Sequence, residues 1–322
     1  MRKALVVGIN NYPEIPLKGS HNDANAIASI LEANGDGSPD FDVKKLLDVG
    51  SKGELKGLVS DLFSGEADAS LLFFSGHGYI DDLGGCLVTP DYSEHDYGVS
   101  MDDVLTMANK SHVKNRIVIL DCCHSGAFGS PSCTGSSTTQ ISEGVTILTA
   151  SRRDENSMEV GGLGVFTNLL LSALNGGAAD IGGYITAGGV YSYIDKALGP
   201  WEQRPVFKTN VSRFFPLRTI APRVPREKLR KLIEYFPNSG DVFSLDPSYE
   251  FTNTPDYRGK LIEPYANPAH VAVLKDLQMF ESVGLLVPVG ADHMYFAAID
   301  SKGCKLTALG CHYWRLANKK LI

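Results

Sequence analysis

Two short stretches carry residue types that can do covalent chemistry. Ser75-Gly76-His77-Gly78 sets an imidazole between glycines, and Asp121-Cys122-Cys123-His124-Ser125-Gly126 sets two thiols between an acid and a small-residue turn. A thiol becomes a strong nucleophile once it ionises, and a nearby imidazole takes its proton or stabilises the thiolate. Flanking glycines let the backbone approach a substrate closely and aim N–H groups at a developing oxyanion. Taken singly, a cysteine is usually a small buried hydrophobe and a histidine usually structural. Here each follows an apolar run and each is bracketed by small residues, so the two together point to a Cys–His pair.

The elements that must position them alternate in type. Lys3 to Ile9 (KALVVGI) is an apolar, β-rich run ending at Asn10-Asn11-Tyr12-Pro13, and Asn22 to Ala33 has helical spacing with Asn22-Asp23 at its start. A second strand is expected over Phe41 to Leu47 and a helix over Lys52 to Phe63. Ala69 to Phe74 (ASLLFF), Arg116 to Leu120 (RIVIL) and Val145 to Ala150 are short unbroken apolar runs, as in strands buried on both faces; a helix over Phe166 to Leu174 follows. Strands separated by helices imply an α/β domain whose mostly parallel sheet is flanked by helices. In such sheets functional residues gather beyond the carboxyl ends of the strands. If the runs before His77 and Cys123 are central and parallel, the two motifs meet at one sheet edge.

Composition excludes several alternatives. The chain has 322 residues, 43% hydrophobic and 21% charged, which is ordinary for a globular protein and too apolar for a disordered one. No apolar run approaches the ~20 residues that span a membrane, and the N-terminus lacks a signal peptide's cleavage pattern. Six scattered cysteines do not make a disulfide framework. The expectation is a reduced, cytoplasmic protein without a membrane. A net charge of −7 argues against general nucleic-acid binding.

SGHG after one apolar strand and DCCHSG after the next resemble the caspase-like cysteine peptidases of family C14, in particular metacaspases and their bacterial relatives. The resemblance extends over roughly residues 1 to 216, including Phe166-Thr167 and Gln203-Arg204-Pro205-Val206-Phe207. It implies a cysteine endopeptidase in which Cys123 is the nucleophile, His77 manages the proton, and Cys122 is the buried neighbour. The oxyanion donors would be the N–H groups of Gly78 and Cys123. Members that cleave after Arg or Lys hold that side chain with acids. The matching positions here are Asp121 and Asp23 as the S1 carboxylates, with Ser75 adding a hydroxyl. Asn22-Asp23 also reads as a plain helix N-cap, and the two roles stand side by side.

Two departures bear on regulation. Calcium-dependent members carry aspartate clusters; Asp91 and Asp102-Asp103 supply part of such a set, but Gly129-Ser130-Pro131 supplies no carboxylate, and Asp102-Asp103 also suits the acidic first turn of a helix. A calcium requirement is disfavoured, and no metal or other cofactor is expected. Between Cys123 and Arg152 there is no Lys or Arg, so an enzyme selective for basic residues would not cut its own loop Gly129 to Ser142; Arg152 and Arg153, after the next strand, stay open as processing sites, and the expectation is an uncut chain.

Composition shifts to proline and arginine over 217–225, read as a linker between a catalytic domain (1–216) and a smaller one (226–322). Helices are expected over Arg226 to Phe236 and Ala269 to Val283, strands over Leu285 to Val289 and His293 to Ile299, and a closing helix over Leu306 to Leu316. That order resembles an α+β winged-helix module. DNA is a poor partner for it, because the 269–283 helix carries Lys275 against Asp276 and Glu281. A regulatory role is favoured over DNA binding. Tyr249, Tyr257, Tyr295 and Trp314 with Arg258 are candidates to stack and clamp a nucleotide-like messenger, although aromatics of this kind also serve as core. Cys304, Cys311 and His312 lack zinc-finger spacing.

The resemblance further implies peptide or protein substrates, control by a small-molecule activator or partner protein through the C-terminal domain, and an effector role in antiphage defence or regulated cell death. The competing class is a catalytically silent caspase-fold scaffold or signal-binding protein.

Overall fold

In a computed structural model the described residues are 1–81, 84–122, 140–150, 159–160, 163–198, 205–257 and 261–322. The chain divides into two compact units, Met1–Ala221 and Pro222–Ile322.

The first unit runs β1 (Arg2–Gly8), α1 (Ser20–Leu31), β2 (Asp42–Leu47), α2 (Lys52–Phe63), β3 (Ala69–Ser75), β4 (Gly78–Asp81), β5 (Gly84–Ser93), β6 (Asp96–Ser100), α3 (Met101–Lys110), β7 (Asn115–Asp121) and β8 (Val145–Thr149). It continues with β9 (Glu159–Val160), β10 (Leu163–Gly164), α4 (Val165–Ser172), β11 (Tyr184–Thr186), α5 (Ala187–Leu198), β12 (Val206–Asn210) and β13 (Pro216–Thr219). Six strands form the main sheet in the order β12-β8-β7-β3-β1-β2. Five are parallel and β12 is antiparallel to β8 at the edge. The strands β1, β3 and β7 are unbroken apolar runs because both faces are covered. Ile27, Phe166, Leu170, Val190 and Ile194 of α1, α4 and α5 pack on one face, with Val6, Leu71, Phe73, Ile117 and Ile119. Leu55, Val59, Val104 and Leu105 of α2 and α3 pack on the other, with Val7, Leu72, Phe74, Val118 and Leu120. A second, antiparallel sheet β4-β5-β6 follows directly from the His77 loop.

Some expectations change. Residues 217–219, expected within a linker, belong to β13, which pairs antiparallel with β11 and buries Leu217. Arg2 reaches this strand: its guanidinium donates to the carbonyls of Pro216 (2.7 Å) and Leu217 (3.1 Å), lies between the rings of Phe41 and Phe215, and pairs with Asp40.

The second unit has α6 (Arg226–Arg230), α7 (Leu232–Tyr235), β14 (Val242–Ser244), α8 (Pro268–Ser282), β15 (Leu286–Val289), α9 (Met294–Ile299), β16 (Gly303–Leu306) and α10 (Ala308–Asn318). Helix α8 starts as its sequence dictates: the Asn267 side chain accepts from the Ala269 N–H at 2.9 Å, and Pro268 follows the cap. The run His293 to Ile299, expected as a strand, is instead helix α9. Met294, Ala297 and Ala298 are buried at helical spacing while Tyr295 and Phe296 face outward. The strand partner of β15 is β16, reached through a turn with Ser301 at φ +50°. The expected direct hairpin is therefore replaced by strand–helix–strand, in an antiparallel sheet of order β14-β16-β15. The single helix expected over 226–236 is two short ones. Among the described residues no helix is long and apolar enough to cross a membrane.

Candidate active site

The apolar rows of β3 and β7 on the α1/α4/α5 face end in polar residues. Leu71 and Phe73 lead to Ser75, Ile117 and Ile119 lead to Asp121, and Ser75 pairs in register with Asp121. Helix α1 brings Asp23 to the same end, since Gly8 lets the helix ride on the end of β1. A Cβ at position 8 would lie 2.3 Å from the Ser20 carbonyl oxygen. The Ser75 hydroxyl donates to Asp23 Oδ2 at 2.8 Å, the Gly164 N–H to Asp23 Oδ1 at 3.1 Å, and the Thr167 hydroxyl to Asp121 Oδ2 at 2.7 Å. All four side chains, Asp23, Ser75, Asp121 and Thr167, are buried. Asp23 is not an N-cap: the cap of α1 is Gly19, and no side chain caps the helix. Its carboxylate turns inward to the sheet edge instead.

His77 follows Gly76, where a Cβ would lie 2.6 Å from the Tyr12 hydroxyl. The His77 N–H donates to that hydroxyl at 3.0 Å, and its carbonyl accepts the Val88 N–H at 3.0 Å. The imidazole meets the Tyr12 ring edge-on at 4.6 Å, and Nε2 lies 2.7 Å from the Ile15 carbonyl oxygen. A carbonyl only accepts, so Nε2 carries a proton; in the neutral ring Nδ1 is then the basic nitrogen. The bond between the His77 carbonyl and Val88 makes Gly78 and Leu87 a non-hydrogen-bonded pair, which turns the Gly78 N–H away from β5.

Cys122 is buried among the α2/α3-face core residues, next after Leu120 on that face. Cys123 lies outside the described residues, as do His124 to Gly126. The strand that leads to Cys123 thus ends beside Ser75, two residues from His77.

The carboxylates considered for calcium have other contacts. Asp91 accepts from the Lys52 N–H at 3.0 Å and from the Thr89 hydroxyl at 2.6 Å, Asp103 pairs with Lys56 at 2.8 Å, and Asp102 sits in the first turn of α3 behind the Ser100 cap. Among the described residues no group of three His, Cys, Asp or Glu side chains is arranged to hold a metal. Cys304 is buried, and burial pushes its thiol up to about 12. Cys311 lies 3.3 Å from the Ser239 carbonyl oxygen.

The aromatic candidates of the second unit have separate neighbours. Tyr249 stacks on His270 at 4.4 Å, Tyr257 meets Phe251, Tyr295 meets Phe296, and the Trp314 indole donates to the Phe236 carbonyl at 2.7 Å. Tyr249 and Trp314 are half-buried in these contacts, while Tyr257 and Tyr295 are exposed. Arg258 lies outside the described residues. Tyr12 and Asp48 were not among the expected site residues, and Thr167 was expected only as part of the family-like stretch Phe166-Thr167. The turn Asn10-Asn11-Tyr12-Pro13 at the carboxyl end of β1 was the available signal for Tyr12.

The family model of the caspase domain matches residues 1–196. The chain belongs to the caspase-domain family. Among solved structures, caspase-1 from Spodoptera frugiperda is similar with a TM-score of 0.50 and 13% identity, over 68% of this chain and 90% of that one. At that identity the likeness is one of fold. No curated protein matches the chain. Membership makes this caspase-domain protein a cysteine peptidase, a hydrolase of peptide bonds whose substrates are peptides or proteins.

Proposed function

We propose that the caspase-domain unit is an endopeptidase with a Cys123–His77 dyad that cleaves after Arg or Lys. The observation that carries this reading is the anchoring of His77 Nε2 on the Ile15 carbonyl, which leaves Nδ1 as the proton-handling atom at the edge where β7 leads into Cys123. The Cys123 thiolate adds to the scissile carbonyl carbon, and the electron pair moves onto oxygen, facing the N–H groups of Gly78 and Cys123. Collapse of this adduct breaks the C–N bond as the His77 imidazolium gives its proton to the leaving nitrogen. Water then loses a proton to His77, attacks the thioester and releases the acid and the thiol. The paired carboxylates Asp23 and Asp121, oriented by Ser75, Gly164 and Thr167, support a cationic P1 side chain. The chemistry needs no cofactor.

The test is hydrolysis of fluorogenic peptides with Arg, Lys, Asp or Leu at P1 by wild type, Cys123→Ala and His77→Ala, with and without calcium. Turnover after Arg and Lys is expected, lost in Cys123→Ala and reduced about 10²–10⁴-fold in His77→Ala. Cleavage that survives Cys123→Ala overturns the reading.

An unregulated protease would damage its host, so the second unit is proposed to gate the first in response to a partner or a nucleotide-like messenger, with Tyr257 and Tyr295 as the exposed stacking candidates. On this proposal the enzyme is an effector of antiphage defence or regulated cell death. Adding cell extract to the full chain is expected to raise turnover; equal basal and stimulated rates in the full chain and in a chain ending at Ala221 would remove the gating role.

A further inference from the structure

Residues 10–17 form a strap across the carboxyl end of β1. Asp48, at φ +55°, pins it: Oδ1 accepts the N–H groups of Asn10 (2.8 Å) and Asn11 (3.0 Å), Oδ2 accepts the Asn11 side-chain amide (2.6 Å), and His21 Nε2 lies 2.8 Å from Oδ1. The Leu17 N–H closes the strap on the Asn10 carbonyl at 2.9 Å. On its inner side Tyr12 is buried, at 3% exposure.

This strap meets His77 at its main-chain N–H, at its ring through the T-shaped contact with Tyr12, and at Nε2. The Tyr12 hydroxyl has one proton. The Val88 carbonyl, 3.2 Å away, can only accept, so the proton goes there and a phenol lone pair takes the His77 N–H. One hydroxyl thereby ties the β3–β4 turn to β5 and sets the main chain from which the imidazole projects. Burial holds the Tyr12 phenol above its ordinary range, so it stays a donor throughout the working pH range.

We propose that Tyr12 is a positioning residue for His77, with Asp48 acting through it by pinning the strap. This rests on the dyad reading above. Proton transfer requires the donor and acceptor to be held within a fraction of an ångström, and small displacements of a general base lower kcat sharply. Removing the hydroxyl also leaves the part-buried His77 N–H and the buried Val88 C=O to find new partners.

The experiment is steady-state hydrolysis by full-length wild type, Tyr12→Phe, Asp48→Asn and the double variant, each normalised by active-site titration with an irreversible peptidyl thiol inhibitor, so that misfolded protein does not count. Asparagine tolerates the left-handed backbone at position 48, which isolates the loss of the carboxylate. Tyr12→Phe is expected to lower kcat per titrated site about 10- to 100-fold with KM within about twofold, Asp48→Asn roughly 3- to 10-fold, and the double variant no further than Tyr12→Phe. The alkaline or acidic limb of the kcat/KM profile that reports His77 is expected to move in Tyr12→Phe, and ¹⁵N spectra of its imidazole show the same change without turnover. A kcat per site within twofold of wild type with an unmoved limb overturns the proposal. If Tyr12→Phe does not fold, Asp48→Asn decides alone by the same criterion. His77→Ala is the control: if it keeps wild-type activity, the dyad reading has failed and not the positioning role.

Discussion

The Ser75 hydroxyl donates to the Asp23 carboxylate at 2.8 Å across 52 positions of sequence. The bond joins the end of β3 to the first turn of α1, on the face where Asp121 ends β7. Two acids separated along the chain are thereby oriented at one sheet edge by neutral donors, Ser75 and the Gly164 N–H for Asp23 and Thr167 for Asp121.

That arrangement makes a selectivity prediction. Asp23→Asn and Asp121→Asn keep side-chain shape and are expected to lower kcat/KM for P1 Arg and Lys about 10- to 100-fold, the worth of one charge-assisted contact. Peptides with Leu at P1 should change far less. Equal losses across all P1 residues would place the carboxylates in support of the fold and not in the S1 pocket.

The vicinal cysteines should separate cleanly. Cys122 is 1% exposed on the α2/α3 face. Cys122→Ala is expected to cost stability, roughly 1 kcal/mol for the lost sulfur contacts, and to keep peptide turnover and covalent labelling by the thiol inhibitor. Cys123→Ala should do the reverse. Peptide mapping of the labelled enzyme decides, and a label on residue 122 would reassign the nucleophile.

Gly8 controls how closely α1 approaches β1. A Cβ there would lie 2.3 Å from the Ser20 carbonyl oxygen and 2.7 Å from Ala24 Cβ, both in the helix that carries Asp23. Gly8→Ala is expected to destabilise the first unit by roughly 1–3 kcal/mol, as overpacking does. It should also weaken hydrolysis after Arg more than after Leu. Urea unfolding and the two kcat/KM values test both halves; an unchanged midpoint would contradict the close packing.

The second unit carries its own acid-sensitive link. Asp276 is buried, and Lys228 (2.6 Å), Lys231 (3.1 Å) and the Tyr235 hydroxyl (2.7 Å) surround its carboxylate. Burial alone would raise its pKa, but the hydrogen bonds from Lys228, Tyr235 and Lys231 outweigh it and hold the carboxylate below its usual range. A depressed folded-state value stabilises above the unfolded pKa of about 3.9 and is lost as pH falls through the folded value. Asp276→Asn should therefore cost roughly 2–3 kcal/mol at neutral pH, and the gap to wild type should narrow progressively as pH falls below about 4. Urea unfolding followed by Trp314 fluorescence in a Trp201→Phe background measures it, and a gap that does not narrow between about pH 4 and pH 2 would refute the link.

Much of the catalytic unit was legible in its sequence. Buried parallel strands are unbroken apolar runs, and β1, β3, β7 and β8 fall within a residue or two of the expected bounds. Helix α2 coincides with its expected span, since Ser51 caps it and Leu55, Val59 and Leu62 repeat at helical spacing. The same local logic fails where a run is short. HMYFAAI has neither the alternation of a half-buried strand nor the length of a confident helix, and it folds as α9 because β16 supplies the strand that pairs with β15. Residues 217–219 look like linker and become β13, because Arg2 and β11 hold them from far along the chain.

The sequence by itself determined the alternation of β1, α1, β2, α2, β3, β7 and β8 in the main sheet, the two motifs at strand ends and, through them, the family. Each of these is encoded within about a dozen neighbouring residues, where periodicity and turn chemistry act. Only the tertiary structure decided that Asp23 turns inward instead of capping α1, that Tyr12 and the Ile15 carbonyl hold His77, and that Asp48 pins the strap carrying both. Those contacts join residues 37 to 141 positions apart. They depend on strand order and on the close approach Gly8 permits, and no local pattern of residues carries either.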